Sequence, residues 1–172
     1  VDGKDITEAV ENGGDNPGGG DNPGGETPDE GKFASNVKWT LGENAYDGTS
    51  PDKTKQTATI NGVKVVTILK LGTSNKPGKA TLTIPANTSK LSFYAVAWKG
   101  KTATLVASSA GTEVGTQAVA GNVGATGNPE YTISVSDSDH YTMSLSPQAS
   151  ESNIEITTKE NVRVILFGIV AE

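Results

Sequence analysis

Two stretches decide the fold of this 172-residue chain: residues 91–98 (LSFYAVAW) and residues 162–170 (VRVILFGIV). The first is mostly apolar on both faces that a strand would present, and the second is apolar on both faces except at Arg163. Strands of this kind are typically buried on both sides. We therefore predict that both stretches form central strands with a further layer over their second face. Gly168 predicts a bulge or a close backbone approach.

From residue 33 onward, apolar side chains otherwise alternate with polar ones, which is the pattern of strands with one buried face. The alternation is clear at Val37, Trp39 and Leu41; at Ala80, Leu82 and Ile84; at Ala103, Leu105 and Ala107; and at Ile154 and Ile156. Turn residues separate these segments, and Asn61 with Gly62 is the strongest short hairpin signal. We predict an all-β fold, a two-sheet, jelly-roll-like β-sandwich of roughly ten strands.

The first 32 residues have a different composition. Residues 12–31 contain eight Gly and three Pro, and the motif DNPGG occurs twice. Such a segment has few apolar side chains to bury, so nothing offsets the entropy of ordering it. We predict a flexible acidic tail and disordered Gly/Pro/Asp-rich linker over residues 1–32, followed by the β-sandwich domain over residues 33–172.

Charged residues are distributed unevenly along the chain, so the net charge does not describe the β-sandwich domain. Residues 1–32 hold nine acidic and two basic residues, whereas residues 33–172 hold eleven acidic and twelve basic residues. The net charge of −6 therefore comes from the tail, and the nearly neutral domain gives no general electrostatic case for nucleic acid. The longest strongly apolar run, residues 162–170, is too short to span a bilayer.

The sequence carries no recognisable catalytic signature. The absence of Cys excludes disulfides, a cysteine nucleophile and thiolate zinc sites, and the single His excludes a metal site with two imidazoles. There is no Gly-x-Ser-x-Gly elbow, phosphate-binding loop or dinucleotide fingerprint, and no pair of acidic residues stands out. We predict that the protein is not an enzyme; a hydrolase would need two close carboxylates or His140 beside a serine.

Tyr94 and Trp98 are the strongest candidates for ligand contact. They lie four residues apart on one predicted strand, so they share a face at a separation of about 13 Å. Aromatic rings on an exposed face stack on sugars, and the neighbouring Lys99 and Lys101 supply hydrogen-bond donors. The alternative is that this face packs against a loop or a second layer.

Two other charged features have a ligand-binding and a structural interpretation. Asp137 and Asp139, just before His140, have the spacing of a turn that can hold Ca²⁺. The sequence shows no further ligands nearby, so it favours the alternative of an Asx-turn, in which Asp caps its own backbone. Calcium is the one cofactor that the sequence suggests. Arg163, the only Arg of the chain, is predicted to form an ion pair with Glu155 or Glu160 on a neighbouring strand.

Several segments also resemble a family of surface modules. These are residues 69–78 (LKLGTSNKPG), 80–85 (ATLTIP), 93–100 (FYAVAWKG) and 163–169 (RVILFGI), together with the DNPGG linker. They resemble uncharacterised C-terminal β-sandwich modules of secreted or lipid-anchored surface proteins of gut Bacteroidetes. The resemblance implies a β-sandwich outside the cell, a lipid anchor on a removed N-terminal segment, and company with extracellular nucleases or glycan-degrading enzymes. It brings no catalytic residues, and the lipobox cysteine is absent here.

Together these features predict a non-catalytic extracellular binding or adhesion module, with a glycan as the favoured ligand at Tyr94 and Trp98. One alternative is a structural or docking domain for an upstream domain, a secreted enzyme or a surface protein, which would show a sizeable exposed apolar patch. Another is a nucleic-acid-binding accessory module, which would gather lysines on one face and bind in a salt-dependent way.

Overall fold

The computed structural model describes residues 31–48, 50, 57–122 and 131–172. Most of the predicted tail and linker, residues 1–30, lies outside the described residues. The described chain is all-β, with two short 3-10 turns at Gly31–Phe33 and Asp137–Asp139. Its fourteen strands are β1 (Lys38–Leu41), β2 (Ala45–Tyr46), β3 (Ala58–Ile60), β4 (Val63–Val65), β5 (Leu69–Leu71), β6 (Lys79–Ile84), β7 (Lys90–Trp98), β8 (Ala103–Ser109), β9 (Thr112–Val119), β10 (Gly121–Asn122), β11 (Tyr131–Ile133), β12 (His140–Ser144), β13 (Ser152–Thr158) and β14 (Val164–Ala171).

Two large sheets form the β-sandwich. The outer sheet has the order β1-β6-β13-β8-β9, and the central sheet has the order β10-β7-β14-β5-β2, with β12 also paired to β7. Apolar side chains of the two sheets meet in the main core, which includes Leu82, Leu105 and Ile156 of the outer sheet. The predicted all-β sandwich is confirmed. The described residues hold more strands than the ten or so predicted, because six of the fourteen have only two or three residues.

Strands β7 and β14 are central strands, as predicted, and they pair with each other in the middle of the central sheet. Their register pairs Val164 with Ala97 and Phe167 with Tyr94. One face of β7, including Phe93, belongs to the main core. The other face, including Val96, belongs to a second core. Both faces are therefore buried, which explains why these two segments lack the polar alternation of the other strands.

A small third sheet, of order β11-β3-β4, contributes to the second core. The predicted Asn61–Gly62 hairpin joins β3 to β4, and both residues have the positive φ angles, 49° and 83°, of a type I′ turn. The Asn61 side chain also donates to the Val135 carbonyl and accepts from the Val135 amide, each at 2.9 Å. The turn is thereby tied to the chain that follows β11.

Gly168 forms the bulge predicted from its position. The register between β14 and β7 shifts between Phe167 and Val170, and Gly168 has a φ of 56°. A Cβ atom there would also lie 3.0 Å from the carbonyl oxygen of Lys32. The extra residue lets Ile169 return to the main core after Phe167 has pointed into the second core.

Candidate ligand-binding site

Trp98 ends the central strand β7 and begins the turn that leads to the outer sheet. Its backbone amide donates to the carbonyl of Arg163 at 2.9 Å, so the two residues are neighbours across the β7–β14 pair. The turn residues Lys99 and Gly100 have φ angles of 56° and 72°, and the Lys101 amide donates to the Trp98 carbonyl. These are the features of a type I′ turn, which reverses the chain and brings Lys99 and Lys101 beside Trp98.

Lys99 occupies a backbone conformation that lysine rarely adopts. Among the described residues, the others with positive φ that are not Gly are Asn44, Asn61, Asn87 and Ala110. Asparagine tolerates this region better than lysine does, because its short polar side chain bonds locally. The Lys99→Asn substitution is therefore expected to raise the free energy of unfolding by about 0.5–1 kcal/mol, measured by urea denaturation.

A matched pair of variants tests the origin of that gain. Ala110→Asn changes the same position of another turn and should also stabilise the protein. Lys101→Asn removes a neighbouring lysine with no positive φ and should give no gain. Equal stability of the wild type, Lys99→Asn and Ala110→Asn would show that the turn is not strained.

A pocket of about 240 Å³ lies at this end of the central sheet. Its walls come from the end of β7 and the turn after it, from the loop between β5 and β6, and from the segment before β14. The lining residues are Ser74, Trp98, Lys99, Lys101, Asn161, Val162 and Arg163. Pockets that enclose a drug-sized ligand usually have about 300–1,000 Å³, so this one suits a small group or one unit of a longer chain. Three of the four predicted contact residues thus meet here.

Tyr94, the fourth predicted contact residue, lies elsewhere. It is 8% exposed, and its ring stacks on Phe167 with centroids 5.6 Å apart. The Phe33 ring meets it edge-on, and the tilted His140 ring lies 4.7 Å from it between centroids. The ring has no open face for a sugar, so the two-ring platform expected from the sequence is not formed. The second core covers Tyr94, as the structural alternative predicted.

Trp98 is half-buried, and its indole ring is held from two directions. The Tyr131 ring meets it edge-on, with centroids 5.0 Å apart and an interplanar angle of 76°. The guanidinium carbon of Arg163 lies 5.6 Å from the centre of the indole ring, within the range of a cation–π contact. The ring is thus positioned before any ligand arrives, which lowers the entropy lost on binding.

Arg163 does not form the ion pair predicted from the sequence. Glu155 pairs instead with Lys79, at 3.5 Å. Glu160 accepts hydrogen bonds from the amide and hydroxyl of Thr104, at 2.6 and 2.9 Å. Burial acts to raise the pKa of Glu160, but these hydrogen bonds outweigh it and hold that pKa below its ordinary value. Within the described chain, no carboxylate pairs with Arg163, and its buried Nε atom has no hydrogen-bond partner.

The predicted calcium residues form a capped turn. Asp137–Asp139 is a 3-10 turn, and the Asp139 carboxylate accepts a hydrogen bond from the Ser136 amide at 2.8 Å. The carboxylate thus caps the backbone of the turn through a capping-box bond to the amide three residues earlier, rather than through the Asx-turn considered for this segment. Over residues 31–48, 50, 57–122 and 131–172, no three or more His, Cys, Asp or Glu side chains are grouped so that they could hold a metal ion.

Ser74 and Asn161 could not be assigned to the site from the sequence, because each lies in a loop without a binding motif. Val162 was predicted as part of the apolar run at residues 162–170, which indicates a strand rather than a site. Arg163 did carry a signal, since it is the only charged residue in the apolar run at residues 162–170. A lone charge in such a run must end in an ion pair, at the surface or in a binding site.

The described part of the chain contains no helix with the length and hydrophobicity of a membrane span.

Comparisons with known proteins found no matching family model and no matching curated protein. Among solved structures, the chain is similar to CsCBM6-3 from Clostridium stercorarium, solved in complex with cellobiose, with 14% identity and a TM-score of 0.43 over 83% of this chain and 99% of that one. It is also similar to TmCBM61, solved in complex with beta-1,4-galactotriose, with 12% identity and a TM-score of 0.37 over 84% of this chain and 93% of that one. What this chain binds is inferred from the residues of its own pocket.

Proposed function

We propose that this protein is a non-catalytic extracellular binding module that holds a glycan in the pocket around Trp98. The observation that carries the proposal is the pocket itself. It places a half-buried tryptophan beside Lys99 and Lys101, with Ser74 and Asn161 from other loops facing the same space. An apolar ring surrounded by hydrogen-bonding side chains matches a sugar, which has apolar C–H faces and hydroxyl groups around its edge.

Binding would use each part of the pocket differently. The indole of Trp98 packs against the sugar ring and excludes water from that contact. The ammonium groups of Lys99 and Lys101 donate to hydroxyl oxygens, and the Asn161 amide both donates and accepts. Because Trp98 is fixed by Tyr131 and by the strand, binding orders few groups that were free before.

The same proposal covers the setting of the module. The β-sandwich would be the binding domain, and the acidic segment before its first 3-10 turn would tether it to an upstream domain or to a lipid anchor. The resemblance to surface modules of gut Bacteroidetes supports this setting, as does the Gly/Pro-rich composition of residues 12–31.

A docking role through an apolar surface has less support. Among the described residues, Val66 is the single large hydrophobic side chain that is exposed, at 39%. A docking surface of the kind predicted as an alternative would need a contiguous apolar patch of several hundred Å².

The fluorescence of Trp98 can report directly on sugar binding in the pocket. The chain has two tryptophans, so a Trp39→Phe variant leaves Trp98 as the only one. Titration of this variant with a panel of soluble oligosaccharides, neutral and acidic, is expected to give a saturable change in fluorescence for at least one of them. In the wild-type background, Trp98→Ala is expected to weaken binding of that sugar about tenfold or more, measured by calorimetry.

Tyr46→Ala is the matched control for that loss. Tyr46 also carries a cation over its ring, with the Lys70 Nζ atom 4.2 Å from the ring centroid, but it lies outside the pocket. This variant should bind sugar as the wild type does. Equal binding by a folded Trp98→Ala protein, or silence of Trp98 towards every oligosaccharide, would refute the proposed function.

A further inference from the structure

The pocket around Trp98 is strongly one-sided in charge. Lys99, Lys101 and Arg163 line it, and no Asp or Glu does. None of the three cations forms an ion pair with a carboxylate in the part of the chain that the structure describes. The domain as a whole is nearly neutral, so this concentration of positive charge is a local feature. Cations held together repel one another, and an anion placed among them relieves that repulsion.

Arg163 is the main support for this inference, because a role in solubility does not explain its position. Exposed lysines next to turns, such as Lys99 and Lys101, commonly keep proteins soluble. Arg163 is half-buried, however, and its buried Nε atom has no hydrogen-bond partner in the described chain. The cation–π contact with the Trp98 ring uses none of the guanidinium N–H groups as hydrogen-bond donors to a polar atom, so they remain to bond a ligand. The nearest acidic residue in the sequence, Glu160, already accepts hydrogen bonds from Thr104.

We propose that the glycan held in this pocket is acidic and that Arg163 binds its anionic group, a carboxylate or a sulfate. The guanidinium fork matches the two oxygens of either group, while Lys99 and Lys101 add to the positive potential. Trp98 contacts the body of the sugar. This inference rests on the proposed glycan-binding function, and it goes beyond it by naming the chemical class of the sugar and assigning Arg163 as the residue that selects it.

The first experiment compares ligands that share a sugar backbone and differ in their charged groups, using the full 172-residue chain. Oligogalacturonate is paired with its methyl ester, which has the same backbone without the carboxylate charge. A sulfated galactan oligosaccharide is paired with its desulfated form, which is neutral. In the pair that matches the natural ligand, the charged member is expected to bind about tenfold or more tightly. That preference should shrink as NaCl is raised from about 50 to 500 mM, because salt screens exposed charges.

The second experiment assigns the preference to Arg163. Arg163→Gln is expected to weaken binding of the preferred acidic sugar about 10- to 100-fold and to leave binding of its neutral counterpart nearly unchanged. Arg163→Lys keeps the charge without the fork and should lie between the two. Lys38→Gln removes one positive charge outside the pocket and should bind as the wild type does. Circular dichroism confirms that each variant is folded.

The outcomes separate the inference from the proposed function. Equal binding of a charged sugar and its neutral partner, with no effect of Arg163→Gln, would refute the acidic ligand and leave glycan binding intact. Failure of every sugar to bind would refute both. Binding of a single-stranded oligothymidylate in place of every sugar would also refute both, and would assign the aromatic and basic pocket to nucleic acid.

Discussion

Replacing Phe167 with alanine is expected to lower the free energy of unfolding by about 3–5 kcal/mol. Phe167 is fully buried on the second face of β14. Its ring stacks on Tyr94 and meets Phe33 edge-on, with both centroid distances at 5.6 Å. Removing it leaves a cavity between the central sheet and the layer that covers it, and rigid strands close such a cavity only in part. Chemical denaturation monitored by circular dichroism measures the loss.

Val170→Ala on the same strand is the control for Phe167→Ala. Val170 is half-buried near the end of β14, so its truncation leaves no closed cavity and should cost about 1 kcal/mol. Similar losses for both variants would mean that the second core packs too loosely to matter for stability. Phe167 lies outside the pocket, so a folded Phe167→Ala protein should still bind its ligand.

The Gly78→Ala substitution is expected to lower the free energy of unfolding by about 3 kcal/mol. A Cβ atom at Gly78 would lie 2.0 Å from the Gly72 amide nitrogen and 2.6 Å from the Asn44 carbonyl oxygen. Both are main-chain atoms, and they hydrogen-bond to each other at 2.8 Å, so neither can move without breaking that bond. The Gly78 amide also donates to the Thr158 hydroxyl at 2.8 Å, which fixes Gly78 itself.

Gly111→Ala separates this steric cost from the cost of backbone conformation. Gly111 has a φ of 81°, but a Cβ atom there would have no neighbour within 4 Å. Its substitution should therefore cost about 1 kcal/mol, the strain of the left-handed conformation alone. Thermal or urea unfolding of the two variants side by side gives the comparison. An equal loss would show that the close approach at Gly78 opens without difficulty.

The central strands could be predicted from the sequence, because a strand that is buried on both faces has apolar residues on both. Residues 91–98 and 162–170 were apolar on both faces, and they became the paired central strands. Gly168 and the Asn61–Gly62 turn could be predicted because glycine and asparagine mark backbone conformations that other residues avoid.

A layer over the second face of the central strands was expected, but its composition could not be predicted from the same patterns. The Asn61–Gly62 hairpin predicted the pairing of β3 with β4, whereas nothing local assigned β11 to the same sheet. The parallel pairing of β11 with β3 joins Tyr131 to Ala58, which are far apart in the sequence. A period of two assigns faces to a strand but does not assign partners. That is why Tyr94 and Trp98, on one face of one strand, could not be separated in advance into a buried ring and a pocket ring.

Only the pocket residues that are close to Trp98 in the sequence could be predicted. Lys99 and Lys101 follow Trp98 directly, so their proximity required no knowledge of topology. Ser74 and Arg163 reach the pocket because β14 pairs with both β7 and β5, a strand order that no local pattern encodes. The expected ion pair of Arg163 failed because its candidate partners, the acidic side chains of the neighbouring strand and turn, form closer contacts elsewhere.

The position of β14 also governs how the molecule reaches its folded state. The strand between β7 and β5 follows the other thirteen in the chain, and its side chains enter both cores. Neither core is complete without this strand, so we expect the strands before it to expose apolar surface during folding until β14 pairs with them. Pairings between distant segments make such folding slow. We therefore expect aggregation to occur during folding rather than from the folded protein, and a chaperone or a slow rate of synthesis should raise the folded yield.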